Sequence, residues 1–261
     1  MKLLTLFFIM FFYSSFPQTM HVFHPEMLPA SDTCLVYIPG DSHNTKPAPA
    51  LFLLHGWSGN YNQWNEIIDL QSIADETGFI IICPDGLYDS WYLNSPLIKN
   101  SQYEDFFFNI LFNEVLNSYS IDTSNIFISG LSMGGFGAFN LFLKEPGVFK
   151  SAGSTSGVLD ISAFPGNWGM NKVLGDSVNH FENYISNSPI NRVEKIKSLN
   201  KKIIFDCGTE DRIYEVNRKF FEKCRELKIP ATFISQPGRH DKEYWKKAIK
   251  QHINFFKDLI N

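Results

Sequence analysis

A glycine-flanked serine stands between a strand-like and a helix-like segment of this chain. The β-prone run 125–129 ends abruptly in Gly130-Leu131-Ser132-Met133-Gly134, and a helix-compatible segment follows to residue 145. A turn this sharp forces its central residue into a strained backbone conformation, and small residues two positions to either side avoid clashes. The short pattern alone is also that of an ordinary glycine-rich turn. Between a strand and a helix it predicts a nucleophile elbow with the Ser132 hydroxyl at its tip.

Short apolar runs alternate with helix-like segments along the rest of the chain. Further strands are predicted at 33–38, 50–55, 79–83, 149–154, 202–207 and 231–235, and helices at 64–77, 103–119, 214–227 and 241–259. A continuous apolar run such as 79–83 is typical of a strand buried on both faces of a parallel sheet. The alternation predicts an α/β fold, a doubly wound and mostly parallel sheet with helices on both faces.

Length and charge narrow the class of protein. The chain has 261 residues, enough for one large α/β domain, and shows no internal repeat or second domain. Its formal net charge is −4 and 19% of its residues are charged, which argues against a nucleic-acid-binding surface. Residues 157–200 are rich in Gly, Asn and Ser. We expect this segment to be an insertion between core elements that forms part of the substrate rim.

The amino terminus has the pattern of an export signal. Residues 1–16 contain one lysine, then an apolar run, then small and polar residues. This pattern predicts a signal peptide over approximately residues 1–19, cleaved between Ser14 and Thr19, followed by a single domain over 20–261. An uncleaved N-terminal anchor is the alternative. We therefore expect a secreted or periplasmic protein whose mature chain has no membrane span.

The cysteine pattern predicts neither a disulfide framework nor a metal site. Four cysteines are too few to stabilise a chain of this length, and three of them stand in or beside predicted strands, where free cysteine behaves as a small apolar residue. The sequence has no C-x-x-C and no H-E-x-x-H motif. We expect no metal and no cofactor.

Three acidic residues lie in or just after the strand predicted at 202–207, where an acid could serve a serine nucleophile. A serine hydroxyl reacts when a base takes its proton, and the base needs an acid to orient it. Asp206 lies within the strand and Glu210 stands one residue early, so Asp211 is predicted as the acid. The alternative for Asp211 is the N-cap of the following helix.

One histidine follows the last predicted strand. His240 opens the C-terminal helix and lies at the same sheet edge as Ser132 and Asp211, so it is predicted as the general base. Serine, acid and histidine in this order are typical of the α/β-hydrolase fold. Other histidines fit less well because they lie before the core (His21, His24), in a turn (His43), in the insertion (His180) or within the last helix (His252).

Two backbone N–H groups are predicted to bind the oxyanion that forms during acyl transfer. One belongs to Met133, directly after the nucleophile. The other comes from the loop His55-Gly56-Trp57-Ser58-Gly59-Asn60, where Gly56 lets the chain turn and the Trp57 N–H is the predicted donor. Taken alone, this loop is an ordinary glycine turn at the end of a strand.

Several sequence blocks, in the correct order, carry a family resemblance. They are Leu54-His55-Gly56 with Gly59-Asn60 and Trp64, Gly130-Leu131-Ser132-Met133-Gly134-Gly135-Phe136-Gly137-Ala138, Cys207-Gly208-Thr209-Glu210-Asp211, Asn217, and His240-Asp241 with Tyr244-Trp245. Over residues 35–256 the chain resembles the Putative esterase family, which contains esterase D-like enzymes, tributyrin, acetyl and feruloyl esterases, and the antigen 85 mycolyltransferases. The resemblance implies an α/β-hydrolase fold, the triad Ser132, Asp211 and His240, and oxyanion donors at Trp57 and Met133.

The resemblance also implies where the substrate is contacted. The run Asp89-Ser90-Trp91-Tyr92-Leu93-Asn94-Ser95 is similar to a loop near the pocket in that family, so Trp91 and Asn94 are candidate substrate contacts. Lys242 stands where many relatives have tryptophan, and Arg239 replaces a frequent glycine. Both differences lie at the rim of the site, so they bear on the preference for acyl or leaving group rather than on catalysis.

The combined pattern favours ester hydrolysis through an acyl-enzyme. We expect a serine carboxylesterase for short-chain acyl, acetyl or feruloyl esters, including carbohydrate-linked ones, since export argues against the cytosolic S-formylglutathione hydrolase branch. One alternative is an acyltransferase that uses a sugar hydroxyl as acceptor. Another is a non-catalytic glycan-binding module, against which the intact serine, aspartate and histidine set argues. A peptidase fits less well, because the family mostly handles esters.

Overall fold

Eight strands form one sheet in the computed structural model, which describes residues 18–40 and 46–260. They are β1 (Thr19–Phe23), β2 (Asp32–Tyr37), β3 (Ala48–Leu54), β4 (Ile80–Pro84), β5 (Ile121–Gly130), β6 (Ser151–Thr155), β7 (Ile203–Gly208) and β8 (Ala231–Gln236). Their order is β1-β2-β4-β3-β5-β6-β7-β8. β2 pairs antiparallel with β1 and β4, and the other neighbours are parallel. The predicted doubly wound, mostly parallel sheet is confirmed.

Ten α-helices within the described residues surround this sheet. They are α1 (Gln63–Ile67), α2 (Leu70–Thr77), α3 (Tyr103–Phe106), α4 (Phe112–Ser118), α5 (Met133–Lys144), α6 (Met170–Leu174), α7 (Phe181–Asn187), α8 (Pro189–Arg192), α9 (Tyr214–Leu227) and α10 (Lys242–Lys257). A π-helical turn, Phe107–Leu111, joins α3 to α4, and 3₁₀ turns lie at Ile161–Ala163, Asn167–Gly169 and Val193–Ile196. No helix in the described part of the chain is long and apolar enough to cross a membrane.

Side-chain alternation along the central strands builds an apolar layer on each face of the sheet. Phe52 and Leu54 of β3 face the layer that includes α5 and α9, while Leu51 and Leu53 face the layer that includes α1, α2 and α10. A strand covered on both faces reads as a continuous apolar run, which explains why periodicity along single strands is weak. Because helices cover both faces, the loops that can form a site lie at the carboxyl ends of the parallel strands.

The helix predicted over 64–77 is two helices. Ile68 is extended, at φ −149° and ψ 144°, and the Asp69 side chain accepts a hydrogen bond from the Ser72 N–H at 3.0 Å. This bond caps α2 by satisfying one of the donors that a helix start leaves free. The prediction of one helix was wrong because apolar spacing continues across the break, although Asp69 supplies a start signal.

Two predictions fall on residues that lie outside the described ranges. The predicted leader falls almost wholly on residues 1–17, and the turn that contains His43 falls on 41–45. At the described end of the leader, Thr19 pairs with Val36 and the Gln18 side chain donates to the Tyr37 hydroxyl at 3.1 Å. Chain from Gln18 onward therefore belongs to the fold.

Candidate active site

Ser132 lies at a strained turn between β5 and α5. Its backbone has φ 54° and ψ −116°, a combination that residues with a side chain rarely adopt. Two backbone hydrogen bonds hold the turn: the Ser132 N–H donates to the Thr155 oxygen at 2.9 Å, and the Leu131 N–H donates to the Leu54 oxygen at 3.2 Å. The strained residue is therefore fixed from both β6 and β3.

The glycines on either side of Ser132 are required by close backbone approach. A Cβ on Gly134 would lie 2.3 Å from the Leu54 carbonyl oxygen, and a Cβ on Gly130 would lie 2.4 Å from the Gly134 oxygen. Neither glycine has a positive φ, so lack of space and not backbone freedom excludes a side chain. The predicted need for small residues is confirmed, with contact against β3 as its cause.

The predicted serine, histidine and acid form one continuous chain of hydrogen bonds. His240 Nε2 lies 2.9 Å from Ser132 Oγ, and His240 Nδ1 lies 2.7 Å from Asp211 Oδ2. Because an ionised carboxylate only accepts hydrogen bonds, Nδ1 carries the hydrogen and Nε2 is left to accept the serine proton. The structure brings together all three residues that the sequence predicted, although Ser132 and His240 are 108 positions apart.

Asp211 uses its two carboxylate oxygens for different partners. Oδ2 faces His240, and Oδ1 accepts the Ile213 N–H at 3.1 Å in the turn that leads into α9. Burial raises the pKa of Asp211, but the hydrogen bond and charge of His240, together with the Ile213 N–H, outweigh it and hold the pKa below its ordinary value. The carboxylate is therefore ionised at neutral pH. Asp211 therefore stabilises this turn and pairs with His240 at the same time.

The loop that carries His240 is fastened to the Asp211 loop. The Glu210 N–H donates to the Gly238 oxygen at 3.0 Å, and Arg239 Nε donates to Glu210 Oε2 at 3.0 Å. The Trp245 ring stands edge-on to the His240 ring, with centroids 5.1 Å apart. Lys242, the other rim residue singled out in the sequence, pairs across the surface with Glu66 of α1 at 3.1 Å.

The loop after β3 is fixed by side chains that sequence reasoning did not assign. Gln63 Oε1 accepts the Gly56 N–H at 2.7 Å, and His55 Nε2 accepts the Gly86 N–H at 2.6 Å. Since Nε2 accepts, His55 Nδ1 carries the hydrogen and donates to the Gly56 oxygen at 2.8 Å. Gly56 is thus held at both its N–H and its carbonyl group. No local pattern reveals the role of Gln63, because α1 must first fold back toward the strand end.

Both predicted oxyanion donors lack a hydrogen-bond partner among the described residues. Within residues 18–40 and 46–260, neither the Trp57 N–H nor the Met133 N–H donates a hydrogen bond. Met133 begins α5, so its N–H lies at the positive end of the helix. The Trp57 loop adjoins the nucleophile, since a Cβ on Gly56 would lie 3.5 Å from Ser132 Cβ.

The two candidate substrate contacts have structural partners of their own. Trp91 is 1% exposed, its ring packs against Phe136 of α5, and its Nε1–H donates to the Trp168 oxygen at 3.1 Å. Asn94 Oδ1 accepts the Asp105 N–H at 3.2 Å in the first turn of α3. Direct contact of either residue with substrate stays a prediction.

The insertion 157–200 is attached to the loop 89–95. Besides the bond between Trp91 and Trp168, Ser95 Oγ donates to the Val173 oxygen at 2.6 Å, and Lys172 Nζ donates to Asp89 Oδ2 at 2.6 Å. The Arg212 guanidinium, next to Asp211, lies 4.9 Å from the centre of the Trp168 ring. The insertion therefore reaches the acid loop through Trp168.

The four cysteines, Cys34, Cys83, Cys207 and Cys224, are buried as free thiols. In the part of the chain that the structure describes, no group of three or more His, Cys, Asp and Glu side chains could hold a metal ion.

A family model agrees with this geometry over almost the whole described chain. The model for the family described as Putative esterase matches residues 26–256. The chain belongs to this family. The resemblance recognised from the sequence blocks is therefore confirmed.

Individual relatives cover most of the chain. An acetyl esterase from Caldicellulosiruptor saccharolyticus is 25% identical over 253 residues, which is 87% of this chain and 93% of the relative. An S-formylglutathione hydrolase from Arabidopsis thaliana is 26% identical over 255 residues, which is 88% of each chain. The solved structure of a ferulic acid esterase superposes with a TM-score of 0.80 at 23% identity, over 94% of this chain and 99% of that one. The chain has the α/β-hydrolase fold and is a serine carboxylic ester hydrolase.

The glycine contacts lead to a stability prediction. Gly134→Ala should destabilise the protein by about 1–3 kcal/mol or more, because the new methyl group collides with the β3 backbone. It should also lower esterase activity by about a hundredfold through displacement of the elbow. Urea unfolding and hydrolysis of p-nitrophenyl acetate measure the two effects.

Gly147→Ala is the matched control for this substitution. A Cβ at Gly147 meets nothing within 4 Å, and the residue has no positive φ. Its unfolding free energy should change by no more than about 0.5 kcal/mol. Equal behaviour of the two variants would contradict the steric explanation.

Proposed function

We propose that Ser132, His240 and Asp211 hydrolyse esters through an acyl-enzyme, with the Trp57 and Met133 N–H groups binding the oxyanion. The observation that carries this proposal is the chain of hydrogen bonds from Asp211 through His240 to the strained Ser132, at 2.7 and 2.9 Å. Such sets are recognised by their distances and roles rather than by sequence position.

Each group has a defined step. Ser132 Oγ attacks the ester carbonyl carbon while His240 Nε2 takes the hydroxyl proton, and the two N–H groups stabilise the negative oxygen of the tetrahedral intermediate. His240 then gives the proton to the departing alcohol. Water attacks the acyl-enzyme with the same histidine as base, which releases the acid and restores the serine. The ionised Asp211 holds the imidazole in place and stabilises its protonated form.

Substitution of the nucleophile tests this assignment. Ser132→Ala should lower kcat for p-nitrophenyl acetate by at least about a thousandfold, and His240→Ala should cost about as much, because residues that act as a unit show non-additive losses. A fluorophosphonate probe should label wild-type protein on Ser132, as located by peptide mass spectrometry. His24→Ala, at an exposed histidine far along the chain from these loops, should keep wild-type kcat. Unchanged turnover in Ser132→Ala, or an adduct on another residue, would refute the proposal.

The substrate we propose is an acetyl or other short-chain ester of a carbohydrate. A relative named acetyl esterase aligns over 87% of this chain. Beside the oxyanion loop, the rings of Trp57 and Tyr88 pack edge-to-face with centroids 5.3 Å apart, and they are 37% and 55% exposed. Exposed aromatic faces with polar tips suit sugar or phenolic rings, which are apolar on their faces and polar at their edges.

A cavity that Tyr88 lines, without Trp57, offers room for the alcohol part of a large ester. Its volume is about 360 Å³, and Leu87, Tyr88, Ile98 and Val173 supply much of its apolar lining. The ion pair between Lys172 and Asp89 lies at the same cavity. A cavity of this size suits one or two sugar units, since ligand sites span about 300–1,000 Å³.

A panel of esters tests the substrate class. We expect the highest kcat/KM for acetyl esters, about a hundredfold above butyryl esters, since a butyryl group has two more methylenes and each changes discrimination by about tenfold. Acetylated xylan, a feruloyl ester and S-formylglutathione complete the panel. Tyr88→Ala should lower kcat/KM for acetylated xylan more than for p-nitrophenyl acetate, while Val178→Ala, at another exposed apolar side chain, should change neither. Preference for S-formylglutathione would instead support the activity named for the Arabidopsis relative.

We also infer that the protein is exported, on the strength of the apolar leader. Because Thr19 begins β1, cleavage before this residue leaves the sheet intact. Expression of the full chain in a secreting host should yield extracellular or periplasmic protein whose amino terminus lies between Ser15 and Thr19. Protein that stays in the cytoplasm with Met1 or Lys2 at its start would contradict export.

A further inference from the structure

A second set of serine, aspartate and histidine lies beneath the candidate active site. Ser129, Asp206 and His252 have no exposed surface. His252 Nδ1 lies 2.9 Å from Ser129 Oγ, and His252 Nε2 lies 2.7 Å from Asp206 Oδ2. Within the described residues His252 Nε2 has no partner that meets hydrogen-bond geometry, so its approach to Asp206 is a close polar contact. Because Ser129 is sealed from solvent, this set cannot be a second catalytic centre.

The surroundings of the set are shaped to keep it together. The Thr155 hydroxyl donates to Asp206 Oδ2 at 2.6 Å. Gly153 leaves the necessary space, because a Cβ there would lie 2.7 Å from His252 Nδ1 and 2.8 Å from Ser129 Oγ. The contact between strand and helix thus depends on a glycine at this position of β6.

Stability alone does not account for polar groups at this place. The neighbouring side chains of this layer are apolar, among them Phe127, Ile204 and Phe256. Burial of polar and ionisable groups costs free energy, and well-packed apolar replacements of similar volume are often as stable or more so. Within the described residues, Asp206 Oδ1 and the Tyr244 hydroxyl lack hydrogen-bond partners, which adds to that cost. What polar contacts supply in addition is a defined relative position of the elements that they join.

Each member of the buried set stands on an element that leads into or out of one member of the triad. Ser129 lies on β5, three residues before Ser132. Asp206 lies on β7, five residues before Asp211. His252 lies on α10, the helix that follows the His240 loop.

A fourth residue, Thr155, contacts both the buried set and Ser132. The Thr155 hydroxyl bonds to Asp206, and the Thr155 backbone oxygen accepts the Ser132 N–H at 2.9 Å. A shift of Asp206 or His252 would therefore reach the strained turn through one intermediate residue.

We propose that Ser129, Asp206 and His252 form a positioning cluster that fixes β5, β7 and α10 relative to one another. The cluster holds Ser132, Asp211 and His240 at hydrogen-bond distance from each other. It rests on the proposed function, since it acts only through those three residues. Apolar packing between the same elements tolerates small sliding movements, whereas the hydrogen bonds of Ser129 with His252 and of Thr155 with Asp206 define one arrangement.

Replacement of the cluster by apolar side chains tests this role. The double variant Asp206→Leu/His252→Phe removes both charged or polar partners at similar volume, and Ser129→Ala removes only the hydroxyl. We expect kcat for p-nitrophenyl acetate to fall about tenfold or more in the double variant, and the rate of Ser132 labelling by a fluorophosphonate to fall in parallel, with KM within twofold of wild type. Ser129→Ala should show the same pattern with a smaller loss.

Ser151→Ala is the matched control. Its buried hydroxyl donates to the Lys202 oxygen at 2.6 Å at the opposite end of β6, away from the elbow. The Ser151→Ala substitution should lower the unfolding midpoint without a change in kcat. Folded cluster variants with wild-type kcat, or an equal loss in Ser151→Ala, would overturn the proposal. If the double variant does not fold, the kcat and labelling rate of Ser129→Ala test the proposal in its place. A wild-type protein without esterase activity or Ser132 labelling would contradict the proposed function itself.

Discussion

The contact between the elbow and the backbone of β3 is the constraint on which the site depends. Gly134 lies so close to the Leu54 carbonyl group that no side chain fits between them. This approach lets α5 start directly over the sheet edge, so that Ser132 occupies its strained conformation and the Met133 N–H stays free. Strain at one residue persists only where surrounding contacts fix it, and here β3 and β6 both do so.

Polar contacts between residues that are distant in sequence fix most of the remaining site. Gln63 and His55 hold Gly56 at its two backbone groups, and Asp211 holds His240. Beneath them the positioning cluster of Ser129, Asp206 and His252 lies in an otherwise apolar layer. Groups that must be aligned for chemistry are thus oriented by hydrogen bonds and close polar contacts, while the apolar layers supply the free energy of folding.

The residues that the structure brings together at the site, Ser132, Asp211 and His240, could be predicted from the sequence because each follows a recognisable apolar run. The order of these runs along the chain assigns each loop to the same sheet edge. The break between α1 and α2 was not predicted, because apolar spacing runs across Ile68 and Asp69, while extended backbone at Ile68 ends α1 and the Asp69 side chain caps the start of α2. Asp206 and His252 were not predicted as triad members, and nothing local indicated that their side chains meet.

By itself, the sequence determined the α/β class and predicted Ser132, Asp211 and His240 as nucleophile, acid and base, since these predictions depend on strand ends and local turns. Only the tertiary structure decided what surrounds them: the side chains that fix Gly56, the burial of Trp91, the link from the insertion to Arg212, and the cluster around His252. The physical reason is distance along the chain. A turn is set by neighbours in sequence, whereas a contact such as Ser129 with His252 joins residues 123 positions apart. It exists only once the sheet and its helices have packed.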